Sequence, residues 1–357
     1  MSEKPLFKRL GLIGIGLIGS SIARAARHHN LVREIVATSR TAETRDKVKA
    51  LGLADTVHAD PARTVEGCDL VIVCTPLSTY AAIGRAIAPH LAPGATLTDV
   101  GSCKQSVIRD LQPLLPDNVH FIPGHPVAGT EHSGPEAGFA ELFVDRWCIL
   151  TPPPGTDPAA LRRLTDFWTR LGSRVEKMEA RHHDLVLAIT SHVPHLIAYN
   201  IVGTAADLQT VTKSEVIKYS AGGFRDFTRI AASDPVMWRD VFLNNREAVL
   251  EMLGRFNEDL ASLQRAIRWA DGDGLYNLFT RTRAIRRAII DAGQAVNGTS
   301  SDRPPAGKAV AKPAPEPAQK PAQKPAPKAT KPAKSGAAAK RRPARRKASR
   351  PGRSRER

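Results

Sequence analysis

A glycine-rich segment near the start of the sequence lies between a predicted strand and a predicted helix. Gly14, Gly16 and Gly19 have the spacing G-x-G-x-x-G, between an apolar run over residues 10–15 and a helical pattern over 18–29. Gly14 allows a tight turn, Gly16 lets a phosphate approach the backbone, and Gly19 lets helix and strand pack closely. An ordinary glycine-rich turn is the alternative. Because unpaired N–H groups at a helix N-terminus bind phosphate, we predict a dinucleotide site. Its predicted contacts are Gly14, Gly16, Leu17, Ile18 and Gly19.

The end of the predicted second strand bears on the choice of cofactor. An NAD-dependent enzyme usually has Asp or Glu there, about 20 residues after the glycines, to bind the ribose 2′-OH. This strand instead ends in Ser39, Arg40 and Thr41. Arg40 could pair with a 2′-phosphate, or it could stack on the adenine or face water. We therefore predict NAD(P), with NADP favoured over NAD. Thr75, at the end of a later strand, is also assigned to the cofactor site.

Two further segments place polar side chains after strands of the first half. Ser102 ends the segment Asp-Val-Gly-Ser and is predicted to cap a helix at the mouth of the ligand crevice. His125 opens a glycine-punctuated loop over 124–134, which also contains Thr130 and Glu131. The carboxyl ends of parallel strands face the crevice, and an imidazole titrates near neutral pH. His125 could thus take a proton from a substrate hydroxyl, the alternative being a buried turn histidine.

The second half contributes a possible wall for an anionic substrate. Arg229 would present a planar guanidinium to a carboxylate, with Arg225 and His195 nearby. A surface helix charge is the alternative for Arg229. His192 and His195 lie three residues apart, but no carboxylate or thiolate accompanies them at the spacing of metal ligands, and we predict no metal site.

The hydrophobic pattern predicts the elements that position these residues. Apolar runs alternate with helical patterns as far as residue 178, which is typical of a parallel sheet with crossover helices. From about residue 180 the period is 3.6. The predicted strands cover 10–15, 34–38, 69–75, 95–100, 120–123, 148–151 and 174–178, and the later helices cover 184–207, 238–267 and 274–292.

The predicted fold class is α/β, in three regions. Residues 1–179 form a Rossmann-type doubly wound sheet that binds the dinucleotide, and residues 180–297 form an all-helical domain for substrate binding and dimerisation. Residues 298–357, rich in Lys, Pro, Ala and Arg, form a disordered basic tail, because this composition cannot bury enough apolar surface to fold.

The distribution of charge argues against nucleic-acid binding by the folded body. The formal net charge is +17, but residues 299–357 alone contain 18 basic and 3 acidic side chains. The remaining 298 residues contain 34 basic and 32 acidic side chains, which is nearly neutral. Binding of nucleic acid or an acidic partner is thus predicted for the tail at most, and a solvated tail is the alternative.

The cysteines and the N-terminus predict the cellular location. Four cysteines form no CxxC pair, which indicates reduced thiols. The first residues run into a strand without an apolar leader, and no uninterrupted run of about 18 apolar residues occurs. A soluble cytoplasmic protein that does not associate with membranes is therefore predicted.

Five segments together resemble the prephenate/arogenate dehydrogenase family, also called cyclohexadienyl dehydrogenases. The resemblance extends over residues 6–295. The segments are Gly-Leu-Ile-Gly-Ser-Ser (16–21), Asp-Val-Gly-Ser (99–102), Gly-His-Pro-Val-Ala-Gly-Thr-Glu (124–131), Ser-His-Val-Pro-His (191–195) and Gly-Gly-Phe-Arg-Asp-Phe-Thr-Arg-Ile-Ala-Ala-Ser-Asp-Pro-Val-Met-Trp (222–238).

The resemblance implies a role for each site residue. His125 is similar to the histidine that takes the proton of the ring hydroxyl, Ser102 to its helper, and Arg229 to the arginine that holds the ring carboxylate. His195 resembles a residue near the side-chain end of the substrate, and Trp238 one that borders the pocket. The remaining assignments to the substrate site or its loop are His192, Arg225, Thr130 and Glu131.

The resemblance also implies the reaction: NAD(P)-dependent oxidative decarboxylation of prephenate, arogenate or both, by a homodimer, on the route to tyrosine. The sequence does not rank the two substrates. One alternative is a two-domain dehydrogenase of β-hydroxy acids, which usually relies on a lysine of the helical domain. Lys213 and Lys218 lack the glycine-rich setting of that lysine. The other alternative is a binding protein that uses its basic tail on nucleic acid.

Overall fold

The computed structural model describes residues 4–207, 215 and 218–291. The chain divides into two compact units, Met1–Ala284 and Ile285–Arg357. The second unit is described only over 285–291, which are helical. The predicted tail, 298–357, and Lys213 lie outside the described residues.

The first unit is organised around a six-stranded parallel sheet. The strands are β1 (Phe7–Ile13), β2 (Val32–Thr38), β3 (Thr56–His58), β4 (Leu70–Val73), β5 (Thr96–Asp99) and β6 (His120–Phe121). Their order, β3-β2-β1-β4-β5-β6, confirms the predicted doubly wound sheet. β1 lies between β2 and β4, so the strand order reverses there, and such folds bind ligands at that point of the sheet. Strand β4 is buried over its whole length, which explains its unbroken apolar sequence.

Helices alternate with the strands of the chain, and several begin at a residue that caps them. They are α1 (Leu17–His28), α2 (Ala42–Ala50), α3 (Pro61–Val65), α4 (Tyr80–Ile87), α5 (Lys104–Leu111) and α6 (Pro158–Arg170). Asp157 caps α6 by accepting a hydrogen bond from the N–H of Ala160, and Pro158 follows at the first helical position, where its missing N–H costs nothing.

A second, three-stranded sheet contains the predicted catalytic histidine. Its strands are β7 (Gly124–Pro126), β8 (Trp147–Leu150) and β9 (Arg174–Lys177), with β7 antiparallel to β8. The prediction of a strand over 120–123 followed by a loop was wrong here. The parallel strand ends at Phe121, and His125 lies in a strand opposite Ile149. Glycine and proline beside His125 had indicated a loop, but a short edge strand accepts both.

The second half of the described chain is helical, as predicted. It contains α7 (Ala180–Leu187), α8 (Val193–Asp207), α9 (Gly222–Thr228), α10 (Pro235–Asn244), α11 (Arg246–Arg268) and α12 (Gly272–Ile289). A π-helical turn, Ala188–His192, joins α7 to α8, and a 3₁₀ turn, Arg229–Ala232, follows α9.

The single helix predicted over 238–267 is two helices, which corrects that prediction. Asn245 separates α10 from α11 and has the non-helical dihedrals φ −110° and ψ 31°. Its side-chain amide donates to the carbonyl of Asp184 at 2.8 Å. A long-range hydrogen bond thus fixes the break, and a helical period cannot reveal such a contact.

The helical half packs against the carboxyl end of the parallel sheet. Trp238 and Val241 of α10 share one hydrophobic cluster with Leu77, Tyr80 and Cys103, which lie in the segments that follow β4 and β5. The carboxylate of Asp240 also accepts the N–H of Ser78 at 3.2 Å. The two halves therefore meet where the sheet presents its ligand-binding edge.

The helical segment Ala180–Asp207 is, among the described residues, the one long and apolar enough to cross a membrane by length and composition, with a hydropathy of 1.5. Its first half, however, buries His183, Asp184 and His192, which hydrogen-bond to other elements. Those bonds place this half inside the protein.

Candidate active site

The glycine loop after β1 has the geometry that a dinucleotide requires. Gly14 has a φ of +93°, and a Cβ there would lie 2.8 Å from Cγ2 of Thr75. A Cβ on Gly19 would lie 2.5 Å from the Gly14 carbonyl oxygen, so helix and turn touch at this point. A Cβ on Gly16 would meet nothing within 4 Å. Open space therefore lies beside the backbone where α1 begins.

The first turn of α1 is free to bind an anion. Gly16 is its N-cap and supplies no side-chain hydrogen bond, and the first turn contains no acidic residue. Leu17 and Ile18 are the first helical residues and are partly buried. Free N–H groups beside open space fit the pyrophosphate of a dinucleotide. The residues that would hold it are Gly14, Gly16, Leu17, Ile18, Gly19 and Thr75.

The residues that follow β2 carry positive charge. Arg40 is exposed, and Thr41 caps α2 by accepting the N–H of Thr44 at 3.2 Å. Arg45, which the sequence analysis did not select, donates from Nη1 to the carbonyls of Ser39 (2.8 Å) and Arg40 (2.9 Å). Two guanidinium groups thus lie at the position where NAD-dependent relatives of this fold usually have a carboxylate.

Ser102 is not a helix cap, which corrects the prediction. Helix α5 begins at Lys104 with Cys103 at its N-cap, and no side chain of its own segment caps it. The N–H groups of Lys104 and Gln105 donate instead to Asp184, at 2.7 and 2.9 Å. A carboxylate 80 residues away satisfies this helix end, and local capping rules do not detect it. Ser102 is partly buried at the carboxyl end of β5.

His125 lies in a buried polar network at the sheet edge. Its side chain is 7% exposed, and its Nδ1 lies 2.8 Å from Nε2 of His183. Burial, then the neighbouring His183 and Lys104, hold the pKa of His125 well below its usual value. The imidazole is therefore neutral at physiological pH and can accept a proton.

A buried ion pair locks the strand that contains His125. Nζ of Lys104 lies 2.6 Å from the carboxylate of Asp99 and 2.6 Å from the Gly124 carbonyl oxygen, and both side chains are fully buried. The other carboxylate oxygen of Asp99 accepts the N–H of Gly124 at 3.1 Å. Both backbone groups of Gly124, its N–H and its carbonyl, therefore bind strand β7 to the ion pair at the end of β5.

Besides His183, the helical half contributes two further histidines to the same region. His192 is buried, and burial lowers its pKa to about 4. Its Nδ1 lies 3.1 Å from the amide nitrogen of Asn245, while Nε2 has no hydrogen-bond partner within the described residues. His195 stacks on Trp238 with ring centroids 3.6 Å apart. Burial also lowers the pKa of His195. In the part of the chain described, no group of three or more His, Cys, Asp or Glu could hold a metal ion.

Arg229 connects the helical half with the loop that follows His125. Its Nη1 lies 3.9 Å from Oε2 of Glu131, and its side chain is 51% exposed. Thr130 orders the same loop by accepting the N–H of His132 at 3.2 Å. The structure therefore brings Arg229 and the His125 loop together. Arg225, one turn earlier, is exposed and makes no ion pair with the described residues.

Sequence reasoning missed four polar residues that organise this site: Lys104, His183, Asp184 and Asn245. They carry no recognisable spacing, because their partners lie on other elements. The only local signal is that a helical pattern places Lys104 and the His183–Asp184 pair among apolar neighbours.

Comparison with known proteins identifies the family. The domain described as "Prephenate dehydrogenase, nucleotide-binding domain" matches residues 22–177, and "Prephenate dehydrogenase, dimerization domain" matches residues 179–281. The chain belongs to the prephenate dehydrogenase family. The resemblance seen in the five sequence segments is thereby confirmed.

Relatives of this prephenate dehydrogenase family member extend over nearly all of its described residues. It is 42% identical to the cyclohexadienyl dehydrogenase of Zymomonas mobilis, over 80% of this chain and 97% of that protein. It is 30% identical to the prephenate dehydrogenase of Bacillus subtilis, over 78% of this chain and 75% of that protein.

A solved structure of the family is also similar. The crystal structure of the Aquifex aeolicus prephenate dehydrogenase, in complex with hydroxyphenyl propionate and NAD+, has a TM-score of 0.73 and 32% identity, over 79% of this chain and 98% of that one. The Synechocystis arogenate dehydrogenase has a TM-score of 0.67 and 27% identity, over 78% of this chain and 99% of that one.

Proposed function

We propose that this protein catalyses the NAD(P)-dependent oxidative decarboxylation of prephenate, arogenate or both, as a step of tyrosine biosynthesis in the cytoplasm. The observation that carries the proposal is that Arg229 reaches the loop that follows His125. A buried neutral imidazole stands at the sheet edge, and a guanidinium from the helical half reaches the loop that follows it. The names of the relatives support the same reaction.

Each residue of the site has a separate role in this reaction. Arg229 binds the ring carboxylate through charge-assisted hydrogen bonds and so orients the ring. His125 accepts the proton of the ring hydroxyl on its free nitrogen, and Ser102 contacts the same hydroxyl. A bound nicotinamide would accept the hydride from the ring carbon that carries this hydroxyl. Loss of CO₂ then gives an aromatic ring, so no residue has to stabilise a charged intermediate for long.

His195 and His192 complete the substrate wall in this proposal. The Nδ1 of His195 donates to the Ser191 carbonyl at 2.8 Å, which leaves Nε2 as an acceptor. Trp238, stacked on His195, borders the pocket. The unpaired Nε2 of His192 is a buried polar atom that a substrate group could satisfy. These three residues are assigned to the side-chain end of the substrate.

One assay tests the reaction. The purified protein is offered prephenate and arogenate, each with NAD+ and with NADP+, and the absorbance of the reduced cofactor is followed. We expect turnover in at least one of the four combinations. No turnover in any of them would refute the assignment.

For the cofactor we propose a preference for NADP. Arg40 and Arg45 both carry positive charge beside the strand end, and residues 39–41 include no carboxylate that would repel a 2′-phosphate. Arg40→Ser should lower kcat/KM with NADP+ at least about tenfold, which corresponds to about 1.4 kcal/mol. With NAD+ the change should stay within about threefold. Arg33→Ser, an exposed change on β2, is the control. Equal losses with both cofactors would contradict the preference.

We further propose a homodimer formed by the helical domain, with domain limits at residues 1–179 and 180–297. The family matches at 22–177 and 179–281, the second described as a dimerization domain, support this division. Large apolar side chains are exposed along the helices, including Leu243 (66%), Leu250 (58%) and Phe279 (56%). Such exposure is typical of a surface that another copy covers. Light scattering should give twice the chain mass of 38.6 kDa; a monomer would contradict the proposal.

A further inference from the structure

Three buried side chains form a continuous line of hydrogen bonds behind the proposed base. Nδ1 of His125 lies 2.8 Å from Nε2 of His183, and Nδ1 of His183 lies 2.9 Å from Oδ1 of Asp184. The three residues are 7%, 0% and 1% exposed. They come from two elements, since His125 lies in β7 and the other two lie in α7.

The line is anchored at its far end. Asp184 also accepts the N–H groups of Lys104 and Gln105 at the start of α5, so three N–H donors fix its carboxylate. The same residue's carbonyl accepts from Asn245 at 2.8 Å. Asp184 therefore has no freedom to turn away from His183.

This arrangement determines where the protons lie. A carboxylate only accepts, so Nδ1 of His183 carries the proton in that bond. A neutral His183 then offers an unprotonated Nε2, and His125 must donate to it from Nδ1. In neutral His125 this leaves the lone pair on Nε2, the nitrogen away from His183.

The charged surroundings keep both rings neutral in the resting site. Lys104 of α5 lies near them, paired with Asp99 of β5, and His192 lies on the π-helical turn. Burial lowers the pKa of both His125 and His183, Lys104 lowers both further, and Asp184 opposes this at His183. A second proton on either ring would therefore face a buried cation.

We propose that His183 and Asp184 are positioning residues that hold His125 as the Nδ1–H tautomer, with Nε2 directed to the substrate hydroxyl as the base. When His125 accepts the proton, its Nδ1–H bond to His183 becomes charge-assisted and strengthens. The two residues do not touch the substrate. The inference rests on the proposed function for its kinetic consequence, but the tautomer itself can be measured without turnover.

Two variants at position 183 separate positioning from folding. His183→Met fills the space but removes the acceptor for the His125 Nδ1–H. His183→Gln restores an acceptor through its side-chain carbonyl oxygen, without the link to Asp184. His182→Met is the matched control, because His182 is exposed and adjacent in the chain.

The kinetic readout is kcat and KM for whichever substrate the wild type turns over. We expect His183→Met to lower kcat about 100-fold or more, with KM within about threefold, because a base in the wrong tautomer cannot take the proton. The kcat of His183→Gln should be at least about tenfold higher than that of His183→Met, and the kcat of His182→Met should equal that of the wild type. A kcat for His183→Met within threefold of the wild type would overturn the proposal.

The tautomer readout uses ¹⁵N NMR of the histidine-labelled full-length protein. We expect His125 protonated at Nδ1 in the wild type and in His183→Gln, and the Nε2–H form to gain population in His183→Met. An unchanged Nδ1–H form in all three overturns the proposal, whatever the kinetics. If the wild type turns over neither substrate, the proposed function fails, and the NMR result alone decides the inference. If His183→Met does not fold, the wild-type tautomer and the activity of His183→Gln decide it.

Discussion

The two regions that meet at the site are built in opposite ways. In the buried network around β7, to which α7 contributes the last two, the side chains are all less than 10% exposed and all hydrogen-bonded: Asp99, Lys104, His125, His183 and Asp184. On the helical side, the Arg229 side chain is half exposed, and among the described residues it is held only by an ion pair with Glu131 at 3.9 Å. A base that must be neutral before it accepts a proton needs a fixed position away from water. A group that captures a charged substrate needs access to water. Changes in the first region should therefore affect kcat and stability, and changes in the second should affect substrate binding.

Replacing the proposed base should have the largest effect. His125→Asn removes the proton acceptor, and general-base catalysis contributes about 10²- to 10⁴-fold. We expect kcat to fall about 10³-fold with KM within about threefold, measured by steady-state kinetics, while His182→Asn retains full activity. A kcat that stays within tenfold of the wild type would show that another group is the base.

Breaking the buried ion pair should mainly lower stability. Lys104→Met leaves the Asp99 carboxylate buried without its cation, which costs about 3–5 kcal/mol of the free energy of unfolding. Lys49→Met removes an exposed ion pair with Asp46 and should cost less than about 1 kcal/mol. Urea unfolding of both variants checks the contrast. Similar losses for the two lysines would mean that the buried pair does not lock β7 as described.

The buried histidines should make the protein sensitive to mild acid. The pKa of His192 is about 4 because of burial, whereas an unfolded histidine has a pKa of about 6.5. Between these values the unfolded chain binds more protons, so the free energy of unfolding falls as pH falls, by up to about 1.4 kcal/mol per pH unit for each such histidine.

Urea unfolding at pH 7.5 and pH 5 measures this dependence. His192→Asn should make it shallower, and His182→Asn, in an exposed position, should leave it unchanged. Carboxylates with lowered pKa, such as Asp157, act mainly below about pH 4 and do not obscure the comparison. An identical pH dependence in His192→Asn would contradict the neutral, buried state of His192.

Removing the substrate-binding charge should affect substrate binding and have the smallest effect of the four on stability. Arg229→Ala removes charge-assisted hydrogen bonds to a carboxylate, worth about 1.5–3 kcal/mol. We expect substrate KM to rise about 10- to 100-fold with kcat reduced less and the free energy of unfolding unchanged. Arg246→Ala, an exposed change at the start of α11, is the control. A main effect on kcat or on stability would place Arg229 in the same class as the buried region.

The sequence predicted most of the sheet and the family, because both depend on local patterns. Apolar runs locate β1 and β4, and the glycine spacing marks the turn at Gly14 whose φ is +93°. The boundaries that failed depend on distant partners. Strand β7 exists because Gly124 pairs with β8 and Asp99, and the break at Asn245 exists because of a hydrogen bond to Asp184.

The same limit applies to the site. His125 and Arg229 could be chosen because their residue types suit a base and a carboxylate binder. The line from His125 to Asp184 could not, since it joins residues 58 apart across two elements. At Ser102 the error is the opposite one, because a local pattern predicted a contact that does not form. The sequence there is typical of a helix cap, but a carboxylate from α7 accepts the N–H groups at the start of α5 instead.

The π-helical turn Ala188–His192 has a geometric consequence for the whole substrate wall. A π turn contains one residue more than an α turn, and each residue of an α-helix advances the side-chain direction by about 100°. The extra residue therefore sets an angular offset between His183 and Asp184 before the turn and His195 after it. Deleting a single residue from this turn would let the helix continue as regular α-helix, and His195 would rotate away from the Trp238 ring. One residue in 357 thus determines whether His183 can bond to His125 while His195 stacks on Trp238.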